Sequence, residues 1–207
     1  MSFYGDHVLP RLLDLLLRSA DTHDLRAQVA SGLTGEVLEI GFGSGLNVPF
    51  YPAAVTRVRA LDPAALGRKL AAGRVAASPV PVEYIGLDAQ RIPLPDDSVD
   101  SVLTTWTLCS IPDAGAALAE VRRVLRPGGT FHFAEHGHAP AADVKVIRAQ
   151  HRLEPLHRRV LGGCHLTRPI DQLITASGLT LTALKTYYRP GPKPTSYTYE
   201  GQATNPA

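Results

Sequence analysis

The residues best placed to do chemistry are Gly41-Phe42-Gly43-Ser44-Gly45, which directly follow the apolar run Val37-Leu38-Glu39-Ile40 and precede Asn47. Gly41 and Gly43 can take backbone angles closed to other residues and let a ligand touch the main chain. A helix starting just beyond would add unpaired N–H donors. Two carboxylates stand in equivalent places downstream. Asp62 ends the next apolar run, in Ala60-Leu61-Asp62-Pro63, and Asp88 follows the third, in Gly86-Leu87-Asp88-Ala89. Either aspartate alone equally suits a turn or a cap. At the carboxyl ends of consecutive strands they suit a nucleoside. Asp62 can accept from a ribose 2′,3′-diol. Asp88 can accept from an adenine amino group while the Ala89 N–H binds a ring nitrogen.

The spacing argues against a nicotinamide dinucleotide. That pattern needs G-x-G-x-x-G facing a pyrophosphate, whereas here it is G-x-G-x-G, with Leu46 in the place of the third dinucleotide glycine. Glu39, two residues before the first glycine, suits a cationic amino group, and S-adenosylmethionine carries one. The expected cofactor set is therefore Glu39, Gly41, Gly43, Gly45, Asn47, Asp62, Pro63, Asp88 and Ala89.

Groups for the second substrate are less defined. His136 and His138 follow the fifth apolar run, where a histidine could serve as a base or simply face solvent. Cys109 could contact an acceptor or be a packed thiol, and Trp106 suits core or pocket wall. Cys164 and His165 lie in a later loop, and Tyr4 could fold over the cofactor or stay a surface aromatic. The two cysteines are far apart in sequence, so reduced, buried thiols are expected. No CxxC or HExxH spacing is present, so Cys109, Cys164, His136 and His165 are not expected to hold a metal.

These groups need a scaffold. The runs Glu36–Ile40, Val55–Leu61, Val80–Ile85, Asp100–Thr105 and Gly129–Ala134 read as short apolar strands. Helices are predicted between them over 64–77 and after the N-cap Asp113, with Leu118, Val121 and Leu125 on one face and Pro127-Gly128-Gly129 as the stop. Such alternation predicts an α/β fold, a parallel sheet with helices on both faces. Further helices are predicted over 142–157 and 170–177. Two β-rich runs then follow, Leu179–Tyr188 and Ser196–Glu200, joined by a turn at Arg189-Pro190-Gly191-Pro192 as an antiparallel pair. The last seven residues are small and polar and are expected to fray. At the N-terminal end, His7, Arg11, Asp14 and Arg18 predict a polar stripe on an otherwise apolar helix beginning near Pro10. A second helix is predicted from Thr22 to Ala30.

The chain has 207 residues and a formal net charge of +2. One domain is expected, with 1–32 as a helical lid segment and 33–207 as the core. The charge predicts no dedicated nucleic-acid surface. Arg11, Asp14 and Arg18 interrupt the first apolar stretch, so neither a signal peptide nor a membrane span is expected, and the chain reads as cytoplasmic.

Two longer segments carry a family resemblance: 87–100 (LDAQRIPLPDDSVD) and 121–129 (VRRVLRPGG). From Glu36 to His136 the chain resembles a class I S-adenosylmethionine-dependent methyltransferase of the methyltransferase type 11 group. Phe50-Tyr51-Pro52, Leu61-Asp62-Pro63, Leu108-Cys109-Ser110, Glu135-His136 and 163–168 (GCHLTR) are further similar to the methyltransferase-like seven family, which are membrane-associated alkyl thiol S-methyltransferases. The resemblance implies a Rossmann-like seven-stranded sheet, mostly parallel, with an antiparallel C-terminal strand. It implies S-adenosylmethionine as cofactor, S-adenosylhomocysteine as product, and Thr105 lining the methionine part. It implies a small-molecule acceptor, a thiol first, with a quinone-like or small aromatic acceptor, or a non-catalytic cofactor-binding role, as alternatives. The chain departs from the family in Phe42, where many members carry a smaller residue, and the long hydrophobic N-terminal anchor of the family is not expected here. Peripheral membrane contact stays open.

Overall fold

The computed structural model describes residues 4–207. Seven strands form one sheet in the order β3-β2-β1-β4-β5-β7-β6. They are β1 (Gly35–Ile40), β2 (Val55–Leu61), β3 (Val82–Gly86), β4 (Val99–Thr105), β5 (Leu125–His136), β6 (Thr180–Tyr188) and β7 (Tyr197–Thr204). The first five run parallel, and β7 lies antiparallel to both β5 and β6. This is the mostly parallel Rossmann-like sheet that the sequence predicts.

The strands read as unbroken apolar runs because both faces of the sheet are covered. Along β1, Leu38 and Ile40 join a core with Val102, Phe131 and Phe133, while Val37 faces the other side with Val58 and Leu103. The first core is closed by α4 (Ala114–Val124) and α6 (Ile170–Ala176). The second is closed by α2 (Ala20–Ala30) and α3 (Ala65–Ala76). Phe131 and Phe133 stack with centroids 5.5 Å apart and are fully buried. Each such side chain contributes roughly 1.5–3 kcal/mol by leaving water. Asp113 caps α4 as expected, its Oδ1 accepting the Ala116 N–H at 2.9 Å.

Three expectations are corrected. The C-terminal residues do not fray. Gly201–Thr204 complete β7, and Asn205 is tied down by its N–H to Gly129 O (2.9 Å) and its Nδ2 to Leu125 O (2.8 Å). The joint between β6 and β7 is longer than a four-residue turn, because Lys193–Ser196 make one helical turn there. The first helix is also differently faced. Tyr4–Val8 form a π-helical turn before α1 (Leu9–Leu16). Asp14 is buried against Arg18 and Arg74, so the predicted polar stripe does not face solvent throughout, while Val8, Leu12, Leu15 and Leu16 are exposed. Among the described residues no helix is long and apolar enough to cross a membrane.

Candidate functional site

Strand order reverses between β1 and β4, the place where open α/β sheets form a crevice outside their carboxyl ends. A cavity of about 540 Å³ opens there. Its floor is the glycine turn. Gly41 (φ +78°) and Gly43 (φ +53°) both take the left-handed conformation that favours glycine. A Cβ on Gly41 would lie 1.9 Å from Thr107 Oγ1, so that position also lacks room for one.

Asp62 organises this turn. Its Oδ2 accepts the Gly43 N–H at 2.8 Å, and its Oδ1 accepts the Ala64 N–H at 2.7 Å. Burial pushes its pKa up, against these two bonds. An ionised carboxylate has about four acceptor positions, so both oxygens keep capacity for a diol. Asp88 stands on the cavity rim, where its Oδ1 accepts from the Gln90 N–H and Nε2, and these bonds lower its pKa. Pro63, Ala89 and Thr105 line the same cavity.

Glu39, Gly45 and Asn47 do not line it. Glu39, expected beside a ligand cation, does not reach the cavity surface in this structure. Its carboxylate is buried behind the wall, with Oε2 accepting from the Tyr51 hydroxyl at 2.5 Å and Oε1 from Asn47 Nδ2 at 3.0 Å. Burial raises its pKa to about 7, opposed by Tyr51, Asn47 and Arg26. Gly45 is enclosed instead by Ala71, Val48 and Phe42.

Arg26 links this network to the cavity, a role that sequence reasoning missed. It lies on α2 and lines the cavity, and its Nη1 donates to Asn47 Oδ1 (2.6 Å) and Thr105 Oγ1 (2.9 Å). Its Nε is buried and has no hydrogen-bond partner among the described residues. Burial lowers its pKa to about 10, so it remains a cation near neutrality. Its guanidinium sits 4.8 Å from the ring centroid of Trp106, with Arg189 over the same ring at 5.0 Å. Trp106 has φ +51°, a conformation costing a bulky residue roughly 1–3 kcal/mol. The turn holding it is fixed by Trp106 N–H to Ala134 O (2.8 Å) and Thr107 N–H to the buried Glu135 carboxylate (3.0 Å).

A second missed residue is Gly67, where a Cβ would lie 2.9 Å from Gly43 O and push α3 off the glycine turn. A glycine inside a helical pattern was the available signal.

The remaining wall is mostly apolar, with Asp14 held there by Arg18 and Arg74. Leu9, Pro10, Leu13 and Leu17 from the N-terminal helix face Ile111 and Leu161. The candidate acceptor groups are elsewhere. Tyr4 is exposed and donates its hydroxyl to Val160 O at 3.0 Å. Cys109 and His136 are buried and do not line the cavity, and His165 binds Glu154 at 3.0 Å. The two cysteines are free and buried, as expected, but the fold brings them together, with their sulfurs 3.1 Å apart.

Residues 38–133 match the family described as Methyltransferase domain. The chain is 38% identical over 145 residues to Thiol S-methyltransferase TMT1B of Homo sapiens, a match covering 67% of this chain and 58% of that relative. The corresponding matches to the rat TMT1B and human TMT1A proteins cover 57% and 59% of their lengths, so the chain spans under three fifths of these relatives. A SAM-dependent methyltransferase from Thermotoga maritima superposes with TM-score 0.67 at 20% identity, over 97% of this chain and 99% of the other. The cyclase SpnF superposes with TM-score 0.70 at 17% identity, over 92% and 82%. The chain thus carries the domain and the fold of S-adenosylmethionine-dependent methyltransferases, and that domain implies S-adenosylmethionine as its cofactor.

Proposed function

We propose that this chain, built on the methyltransferase fold, methylates the sulfur of a small apolar thiol. The observation that carries the reading is the contrast between the two sides of one cavity. One side is polar, with Asp62, Asp88, Arg26 and the glycine turn; the other is lined mainly by Leu9, Leu13, Leu17, Ile111 and Leu161, with Asp14 held by Arg18 and Arg74, and among the described residues it presents no imidazole.

The polar side fits the donor. Asp62 would take the ribose diol, and Asp88 with the Ala89 N–H the adenine. Arg26, with its unpartnered buried Nε, would take the carboxylate. Glu39 and Asn47 act from behind, as the groups that hold Arg26 and Thr105 in place. When bound, S-adenosylmethionine supplies an activated methyl group on a sulfonium.

The protein's own work is then alignment and exclusion of water. A general base is needed only for an acceptor that must lose a tightly held proton. A thiol has a reference pKa of ~8.5 and ionises readily, so it needs no strong base from this wall, whose carboxylate, Asp14, is held by Arg18 and Arg74. The acceptor sulfur would take the methyl group that the bound donor supplies, with cleavage of the donor carbon–sulfur bond, and the thiol proton would leave to solvent. The products are a thioether and S-adenosylhomocysteine. Of the N-terminal segment 1–32, the described part, residues 4–32, would serve as the lid over this side. The thiol methyltransferase names of the relatives support the same acceptor class.

The test is turnover with S-adenosylmethionine and a series of alkyl thiols, with thioethers read by mass spectrometry, and a quinol in parallel. Thioether formation that improves with chain length is expected. Methylation of the quinol alone, or no turnover despite donor binding, would sink the thiol reading.

A further inference from the structure

Behind the apolar wall lies a cluster that the proposed methyl transfer does not use. Cys109 follows β4, His136 ends β5, and Cys164 sits in the loop after α5 (Val144–Val160). They are separated by 27 and 28 residues, so no local spacing announces them. Their ligand atoms nevertheless all lie within 4.8 Å of one another. The two sulfurs are 3.1 Å apart, and His136 Nδ1 is 3.5 Å from Cys164 Sγ. His136 Nε2 is buried with no hydrogen-bond partner among the described residues.

We propose that Cys109, His136 and Cys164 form a three-ligand site for a thiophilic d10 cation, with zinc as the natural probe. The dimensions agree. With Zn–S of ~2.3 Å and Zn–N of ~2.0–2.1 Å, tetrahedral angles place two sulfurs about 3.8 Å apart and sulfur and nitrogen about 3.5 Å apart. His136 Nδ1 already sits at that second spacing from Cys164 Sγ, and the sulfurs need to separate by less than about 1 Å. A disulfide would need them to close by about 1 Å, to ~2.05 Å.

The charges agree as well. Two thiolates and a neutral imidazole balance a divalent ion, so the occupied site carries no net charge into a buried region, where an unpaired charge would be costly. Two thiol protons leave to solvent as the ion enters. The described residues supply three ligands. The fourth position is left for water or an external thiol, and Cys109 Sγ lies 3.6 Å from the hydroxyl of Ser110, a residue of the cavity wall.

The chain has two cysteines, so thiol counting is unambiguous. Metal-stripped, reduced protein is titrated with zinc alone and, separately, with cobalt(II). One zinc per chain, protection of both thiols from alkylation, and a near-ultraviolet thiolate-to-cobalt band are expected. Cys109→Ser and Cys164→Ser should each weaken zinc by more than the roughly 10–100-fold that a supporting partner is worth, and His136→Gln should alter the cobalt spectrum. Circular dichroism confirms that each variant is folded. Unchanged alkylation and no cobalt band would overturn the proposal. So would protein isolated two hydrogens light with both thiols blocked, which would make the cluster a redox pair instead.

Discussion

The Gly43 N–H donates to Asp62 Oδ2 at 2.8 Å, which ties the glycine turn after β1 to the tip of β2. One carboxylate therefore both shapes the turn and faces the cavity. Asp62→Ala should weaken S-adenosylhomocysteine binding by about 1–3 kcal/mol, since a charged hydrogen-bond acceptor is lost and the turn loses its tie. Calorimetric titration of a folded variant checks this. Unchanged affinity would remove Asp62 from the ribose site.

Gly41 and Gly43 share a left-handed conformation but not the same crowding. A Cβ at Gly41 meets Thr107 Oγ1 at 1.9 Å, whereas at Gly43 the nearest atom is Gly41 O at 3.8 Å. Gly43→Ala should carry only the left-handed strain, roughly 1–3 kcal/mol. Gly41→Ala should cost clearly more, because Thr107 must also move. Urea denaturation of both variants gives the comparison, and equal midpoints would contradict it.

Glu39 makes stability depend on pH. Its carboxyl has an ordinary pKa of 4.5, and in the folded protein burial raises it to about 7. The folded state therefore holds this proton more tightly than the unfolded chain does. The stabilisation is fully present below pH 4.5, is lost as pH rises toward 7, and does not change further above that. The loss is about 3 kcal/mol. Unfolding of cofactor-free protein at pH 5 and pH 8 should show it, and Glu39→Gln should remove most of the difference. The same pH dependence in the variant would assign it to other groups.

The fold was legible wherever burial on both faces leaves continuous apolar runs, as in Val37-Leu38-Glu39-Ile40. It was less legible in β7, whose end, Gly201-Gln202-Ala203-Thr204, carries little apolar signal and is held by pairing with β5. The donor-side carboxylates were legible because Asp62 and Asp88 directly follow their strands. The burial of Glu39 was not, because its partner Tyr51 comes from a turn whose path the sequence does not fix. The Cys109, His136 and Cys164 cluster was hidden for the same reason, as three elements must converge to form it. Arg26 did leave a trace. Thr22, Leu25, Arg26 and Val29 are buried on α2 at the i, i+3, i+4, i+7 spacing of a core-facing stripe. A charge inside that stripe is a charge with a job.

That job can be isolated. Arg26 is tied to Asn47 and Thr105 through Nη1, which leaves Nε unpartnered at the cavity wall. If Arg26 receives the donor's carboxylate, its removal must affect only ligands that carry one. Arg26→Gln should weaken S-adenosylhomocysteine by about 1.5–3 kcal/mol, the range for hydrogen bonds to charged groups. It should leave methylthioadenosine, which has the nucleoside but no amino-acid tail, within a factor of about two. Calorimetry with both ligands on the same variant makes the comparison internal. Equal losses would mean that Arg26 only braces Asn47 and Thr105, and the carboxylate partner would then have to be sought elsewhere on the wall.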